Sequence, residues 1–301
     1  LPIIEGLAEK WHVLRPSEDR PEPADLAVSP TSRAAPLYLL GDRAGPTRHP
    51  EVRHHTAHLP GVELTCWLER PDGEAIVRGE PGRPEGQFSA VIEKNGERIG
   101  FRPAGQADGS PEGGGAGTIR VTDRRGGDWV VEGDPAVIGA KVTDGIFDSH
   151  DYPDALGRVY MALTAPHAGD IMVSATLGYE CLDWGNVAHV GGGSHGSLRR
   201  EDSSGPLLFV GCGPESADAT SQWALRDLAP VLRAHCGLPT GQLPRPPTPT
   251  TAMTTRSFAA TARAFPGSAA TAAPPTTVSM PFDDLEMNPR RVMPSMRAAP
   301  C

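Results

Sequence analysis

The chain has 301 residues, of which 35 are Gly and 32 are Pro. Backbone breakers at that density exclude long helical bundles and coiled coils, and contents of 38% apolar and 5% aromatic residues supply one core, or two modest ones, with part of the chain left outside. Acidic residues outnumber basic ones by 37 to 28, for a net charge of -9, and no basic stripe with interleaved aromatics occurs. A nucleic-acid polymer is therefore not an expected partner, because its binding rests on phosphate neutralisation. No apolar run approaches the roughly 18 residues of a membrane span, and the first residues lack the charged and apolar regions of a secretory signal. The five cysteines, Cys66, Cys181, Cys212, Cys236 and Cys301, are odd in number and widely spaced. They form neither a disulfide framework nor a zinc ribbon, and a reducing, cytoplasmic compartment is the expectation.

Residues 1–60 mix short apolar runs with Pro-rich turns, and 50–59 read as a short helix entered through Pro50. The pattern then turns to period two. Val62, Leu64, Cys66 and Leu68 alternate with polar neighbours before a Pro71-Asp72-Gly73 turn and a return strand at 75–77. A second hairpin is predicted over 88–93 and 97–102, because Asn95-Gly96 accepts the positive φ of a type I′ turn. A Gly-rich loop (105–117) and a third strand pair, 118–121 with 129–132, complete a small antiparallel sheet. After Asp134 the order becomes helix, strand, loop, strand, helix. Asp151 is expected to cap a helix with Pro153 in its first turn and Ala155, Leu156, Val159, Tyr160 and Leu163 on one face. Residues 171–175 and 206–210 read as buried strands of an α/β layer, and 223–235 as an amphipathic helix ended by Gly237. Residues 241–301 hold 11 Pro, 11 Ala and 9 Thr but no Trp, Tyr or His, so this tail is expected to be disordered.

Chemistry concentrates in residues 189–214. Gly193 and Gly196 bracket Ser194-His195, so a tight loop with little side-chain bulk presents an imidazole, the commonest neutral metal ligand and general base. The bland counterpart is a surface histidine in a glycine turn. The run Gly193-Ser194-His195-Gly196, then Asp202, Pro206-Leu207-Leu208-Phe209 and Gly213-Pro214, resembles the C-terminal metal-histidine motif of the type I phosphodiesterase and nucleotide pyrophosphatase branch of the alkaline phosphatase superfamily. Three further segments agree with it: Asp151-Tyr152-Pro153-Asp154-Ala155-Leu156, Gly169-Asp170 before a strand, and the helix beginning Trp223-Ala224-Leu225-Arg226. Ser32-Arg33-Ala34-Ala35 is also similar to a family segment.

The resemblance implies a phosphoester hydrolase in which two zinc ions clamp the ester and activate a Thr or Ser nucleophile. It places His195 as a ligand of one metal; Asp202 is then expected to orient either the loop or a ligand from behind it. The nucleophile, the Asp-x-x-x-His pair and the Asp-His-Gly of the family have no counterpart in these 301 residues. The expectation is therefore an α/β fold. Residues 1–240 form the C-terminal part of an alkaline-phosphatase-like core with a small antiparallel β insertion at 62–132, followed by the tail. Its partner is a small phosphate ester, and the isolated chain is expected to be catalytically incomplete.

Rival readings rest on other residues. A non-catalytic binding module would use the sheet of 62–132. Gly192-Gly193-Ser194-His195-Gly196 satisfies the G-x-S-x-G of a nucleophile elbow, with Asp227 and His235 downstream, but no good strand precedes it and no sustained helix follows. His54, His55 and His58 form H-H-x-x-H with a pair at i and i+4. No Glu sits between them and Arg48 and Arg53 lie close, so a solvated polar helix face is expected. Asp148-Ser149-His150 reads as a solvated turn, Cys212 as a small buried residue, and Trp223 as a packing anchor for the last helix.

Overall fold

The computed structural model describes residues 2–16, 23–41, 48–77, 87–105, 117–182, 184, 193–210 and 223–239. The tail, Cys212 and most of the Gly-rich loop at 105–117 lie outside the described residues. The described chain runs α1 (Ile3–Ala8), β1 (Leu26–Val28), β2 (Ala34–Leu39), α2 (Arg48–Ala57), β3 (Val62–Glu69), β4 (Ser89–Lys94), β5 (Glu97–Pro103), β6 (Thr118–Asp123) and β7 (Asp128–Gly133). A 3-10 turn (Pro135–Ile138), β8 (Ala140–Thr143), β9 (Ile146–Ser149), α3 (Ala155–Leu163), β10 (Ile171–Ala175), α4 (Arg200–Ser203), a second 3-10 turn (Leu225–Asp227) and α5 (Leu228–His235) follow.

All ten strands join one sheet in the order β1-β2-β10-β3-β4-β5-β7-β6-β9-β8. The chain is mixed α/β as expected, but its sheet is mostly antiparallel: among the described strands every neighbouring pair is antiparallel except β6 with β9. β10 is buried on both faces, as its apolar run implied: Ile171 and Val173 pack with α1 and α2, and Ser174 on the other face meets the Leu198 amide. It is inserted between β2 and β3 and runs against both. The strands read as a small insertion are thus continuous with β1, β2 and β10.

Period-two alternation explains the layering. Leu64, Cys66 and Leu68 of β3, Ala90 and Ile92 of β4 and Ile99 and Phe101 of β5 face α3, which contributes Ala155, Leu156, Val159 and Leu163. On the opposite face Leu26, Ala35, Leu37, Ile171 and Val173 pack with Ile3 and Leu7 of α1 and Val52 of α2. Tyr160, on the flank of α3, packs edge-on to Trp129 with ring centres 5.7 Å apart and stacks on Phe88 at 5.9 Å.

Several local expectations change. Asp151 does not cap α3. Asp154 occupies that position in the left-handed region (φ 54) without a side-chain cap bond, and Asp151 lies 3.8 Å from Arg199. Asp148 and Ser149 belong to β9, whose pairing with β8 buries Ser149 and lets its hydroxyl donate to the Ile138 carbonyl at 2.8 Å. The segment 206–210 forms no strand, and Leu208 and Val210 are 83% and 81% exposed. Trp223 is half-buried with its ring 5.6 Å from Phe209, and α5 behind it buries no residue.

Candidate functional site

Residues 193–198 form a loop held against β2 and β10. Gly196 sits at φ +106, and a Cβ there would stand 3.2 Å from the Thr31 carbonyl oxygen, so the turn needs glycine. The Arg33 amide donates to the His195 carbonyl at 3.0 Å, and the Leu198 amide donates to Ser174 Oγ at 3.0 Å. Arg158 adds donors to the carbonyls of Leu198, at 3.0 Å, and Ser197, at 3.3 Å.

The firmest tie is ionic. Arg33 Nη1 meets Asp202 Oδ1 at 2.5 Å, with side-chain exposures of only 9% and 3%. Its Nε and Nη2 donate to the carbonyls of Tyr179 and Thr176, both at 3.0 Å. The second oxygen of Asp202 accepts from Ser197 Oγ. Asp202 thus accepts from both Arg33 and Ser197, and Arg33 is a partner that sequence reasoning did not assign. The signal was a lone arginine before the small residues Ala34 and Ala35, which left room for a buried guanidinium but did not say what it would meet.

His195 itself is exposed. Beside it Ser194 Oγ donates to Glu180 Oε1 at 2.8 Å. Its solvent-facing imidazole suits one ligand position and, by itself, no more. Among the described residues no group of three or more His, Cys, Asp or Glu side chains is placed to hold a metal ion. The elbow reading finds no assembled triad: Ser194 is bonded to Glu180, while Asp227 accepts from Arg125 Nη2 at 2.6 Å and from the Ala224 amide at 2.7 Å.

A second polar cluster adjoins the loop. Glu63 accepts from Tyr152 Oη at 2.7 Å and from Arg199 Nε at 2.9 Å, and Lys94 Nζ donates to Tyr152 Oη at 2.8 Å. Burial works against the charge on Glu63, but the bonds from Arg199 and Tyr152 prevail and hold its carboxyl below the usual range. The Tyr152 phenol is raised by burial and by Glu63. Four segments are stapled here: β3, β4, the entry to α3 and the loop after His195. A groove of about 1540 Å³ runs elsewhere, past Arg125, Asp154 and Trp223, and does not touch His195.

The three histidines of the H-H-x-x-H run part company. His55 is half-buried, with Nε2 2.9 Å from the Gly6 carbonyl oxygen and its ring edge-on to Trp11, so it is a packing residue and not part of a solvated face. His54 and His58 remain exposed. Comparison with protein families, with curated proteins and with solved structures yields no match for this chain.

Proposed function

We propose that this chain carries part of a metal-dependent phosphoester hydrolase centre of the type I phosphodiesterase and nucleotide pyrophosphatase kind, with an alkaline-phosphatase-like core. In this reading His195 donates one imidazole to one of two zinc ions. One observation carries the proposal. Ser32-Arg33-Ala34-Ala35 and the His195 to Asp202 stretch, which share the family resemblance but lie more than 160 residues apart in sequence, meet through the buried Arg33–Asp202 pair. A loop so firmly tied, with its one imidazole left facing outward, is built to present that ring.

Each residue then has a task. Asp202 and Arg33 fix the loop, Gly196 keeps bulk away from its turn, and His195 offers a neutral nitrogen. Zinc, when bound, would polarise the phosphoryl oxygens and balance the charge on the leaving oxygen. The nucleophile and the remaining ligands of the family have no counterpart in these 301 residues. Substrates are small phosphate esters, in keeping with an acidic protein that has no basic stripe for a polyanion.

The test uses the complete gene product and its His195→Ala variant, with zinc measured by elemental analysis and turnover measured on bis-p-nitrophenyl phosphate. The variant should lose one zinc of two and at least about 100-fold in rate, since even an orienting partner of a metal ligand is worth about 10–100-fold. Unchanged zinc content and turnover would overturn the assignment.

A further inference from the structure

We infer that His54 and His58 form a second, solvent-facing site for a divalent transition-metal ion, separate from the His195 loop. The two residues stand at i and i+4 on the last turn of α2 and its exit, the spacing that puts side chains one above the other. Their rings have centres 4.3 Å apart, inclined by 48°. With a metal about 2 Å from each ring nitrogen, the centres of a chelating imidazole pair lie roughly 4 to 5 Å apart, the spacing these rings already have.

The proton arrangement on His58 favours binding. Its Nδ1 lies 2.6 Å from the His54 carbonyl oxygen. A carbonyl can only accept, so Nδ1 carries the proton and Nε2 keeps the lone pair, which is the tautomer that ligating histidines adopt when their other nitrogen donates to a backbone carbonyl. The bond also fixes the ring, so ordering it on metal binding costs less. The site lies at a helix C-terminus, where the backbone dipole attracts cations.

The two arginines that argued against a cation here are engaged elsewhere. Arg48 Nη1 pairs with Asp25 at 2.5 Å. The Arg53 guanidinium lies over the Trp67 ring, 4.0 Å from its centre, with Nε 3.6 Å from Glu93. His55, between the pair in sequence, faces α1 instead. Two nitrogen donors with water completing the shell select borderline metals: Cu²⁺ most tightly, then Zn²⁺ and Ni²⁺, while Mg²⁺ and Ca²⁺ prefer oxygen.

Isothermal titration of the metal-stripped 301-residue chain with Cu²⁺ alone tests the site, repeated with Zn²⁺ and Mg²⁺. Variants His54→Ala, His58→Ala, His58→Asn and His195→Ala complete the set. His58→Asn keeps a donor for the His54 carbonyl but removes the imidazole. Both residues are exposed, so circular dichroism should show the fold intact. The expected result is one Cu²⁺ equivalent that binds more tightly than Zn²⁺ and is weakened at least about 10-fold by each change at position 54 or 58. It should be unaltered in His195→Ala, and Mg²⁺ should give no heat. The inference is overturned if His54→Ala and His58→Ala both bind Cu²⁺ with wild-type stoichiometry and affinity, or if His58→Asn binds as the wild type does. Loss of the His195 assignment would leave these outcomes untouched.

Discussion

Arg33 directs three guanidinium nitrogens to Asp202, Tyr179 and Thr176 while its own amide holds the His195 carbonyl. Removing one partner from a buried pair leaves an uncompensated charge, which typically costs about 3–5 kcal/mol. Asp202→Asn should therefore lower stability by about 3 kcal/mol in urea unfolding, and a change below about 1 kcal/mol would show that the pair is not desolvated. His49 tells a different story. It is fully buried in α2, with Nε2 3.3 Å from the Asp170 carbonyl oxygen and no hydrogen-bond partner for Nδ1. Burial lowers its pKa from 6.5 to about 4, helped by Arg53 and opposed by the Asp170 carbonyl. Between those values the unfolded chain takes up a proton that the folded chain refuses. The contribution of His49 to stability should consequently fall by about 3 kcal/mol as the pH drops from 6.5 to 4 and level off below. His49→Gln should flatten that slope in urea titrations across the window, and an identical slope in both proteins would remove His49 as its source. The glycine-bracketed loop of His195 was legible in the sequence, and Asp202 was singled out there only through the family resemblance. The parts played by Arg33 and His49 were not legible, because a single charged or titratable residue acquires meaning only from the elements that close over it.

Among the elements, those with a local chemical instruction were readable. Asn95 and Gly96 adopt φ 53 and φ 84, the positive values that the turn between β4 and β5 demands. No atom lies within 4 Å of where a Gly96 Cβ would be, so Gly96→Ala tests backbone conformation alone. It should cost about 1–2 kcal/mol, read from the shift in thermal midpoint, whereas an unshifted midpoint would mean that the turn tolerates a side chain. The β8–β9 hairpin went unread although Asp144-Gly145 marks its turn, with φ 51 and φ 75. Its strands are only four residues each and Lys141, Val142 and Thr143 lie exposed, so no alternation announced them. The apolar run at 206–210 gave the opposite error. Composition favoured a strand, but a strand needs an edge to join, and Leu208 and Val210 face solvent instead.

At the level of the molecule, the sheet's direction was beyond the sequence. An apolar strand flanked by helices reads alike whether its neighbours run parallel or antiparallel, and β10 pairs with strands from residues 34–39 and 62–69 that lie more than 100 positions earlier. The two cores on either face of the sheet can be followed by their thiols. Burial pushes Cys66 up to about 12 and Cys181 up to about 11, while Cys236 is exposed. At pH 8 a disulfide reagent should label Cys236 in the folded protein and reach Cys66 and Cys181 only on unfolding, as peptide mapping would reveal. Rapid native labelling of Cys66 would mean that the sheet opens locally. The tie between Arg33, just before β2, and the His195 loop is probed by zinc affinity in the full-length protein carrying Asp202→Asn. The measurement is made with His54 and His58 replaced by Ala so that the surface pair does not contribute. With His195 still present, affinity at one site should fall by about 10–100-fold, whereas affinity equal to that of the Asp202 parent would contradict the claim that this buried pair holds a metal-binding imidazole in place.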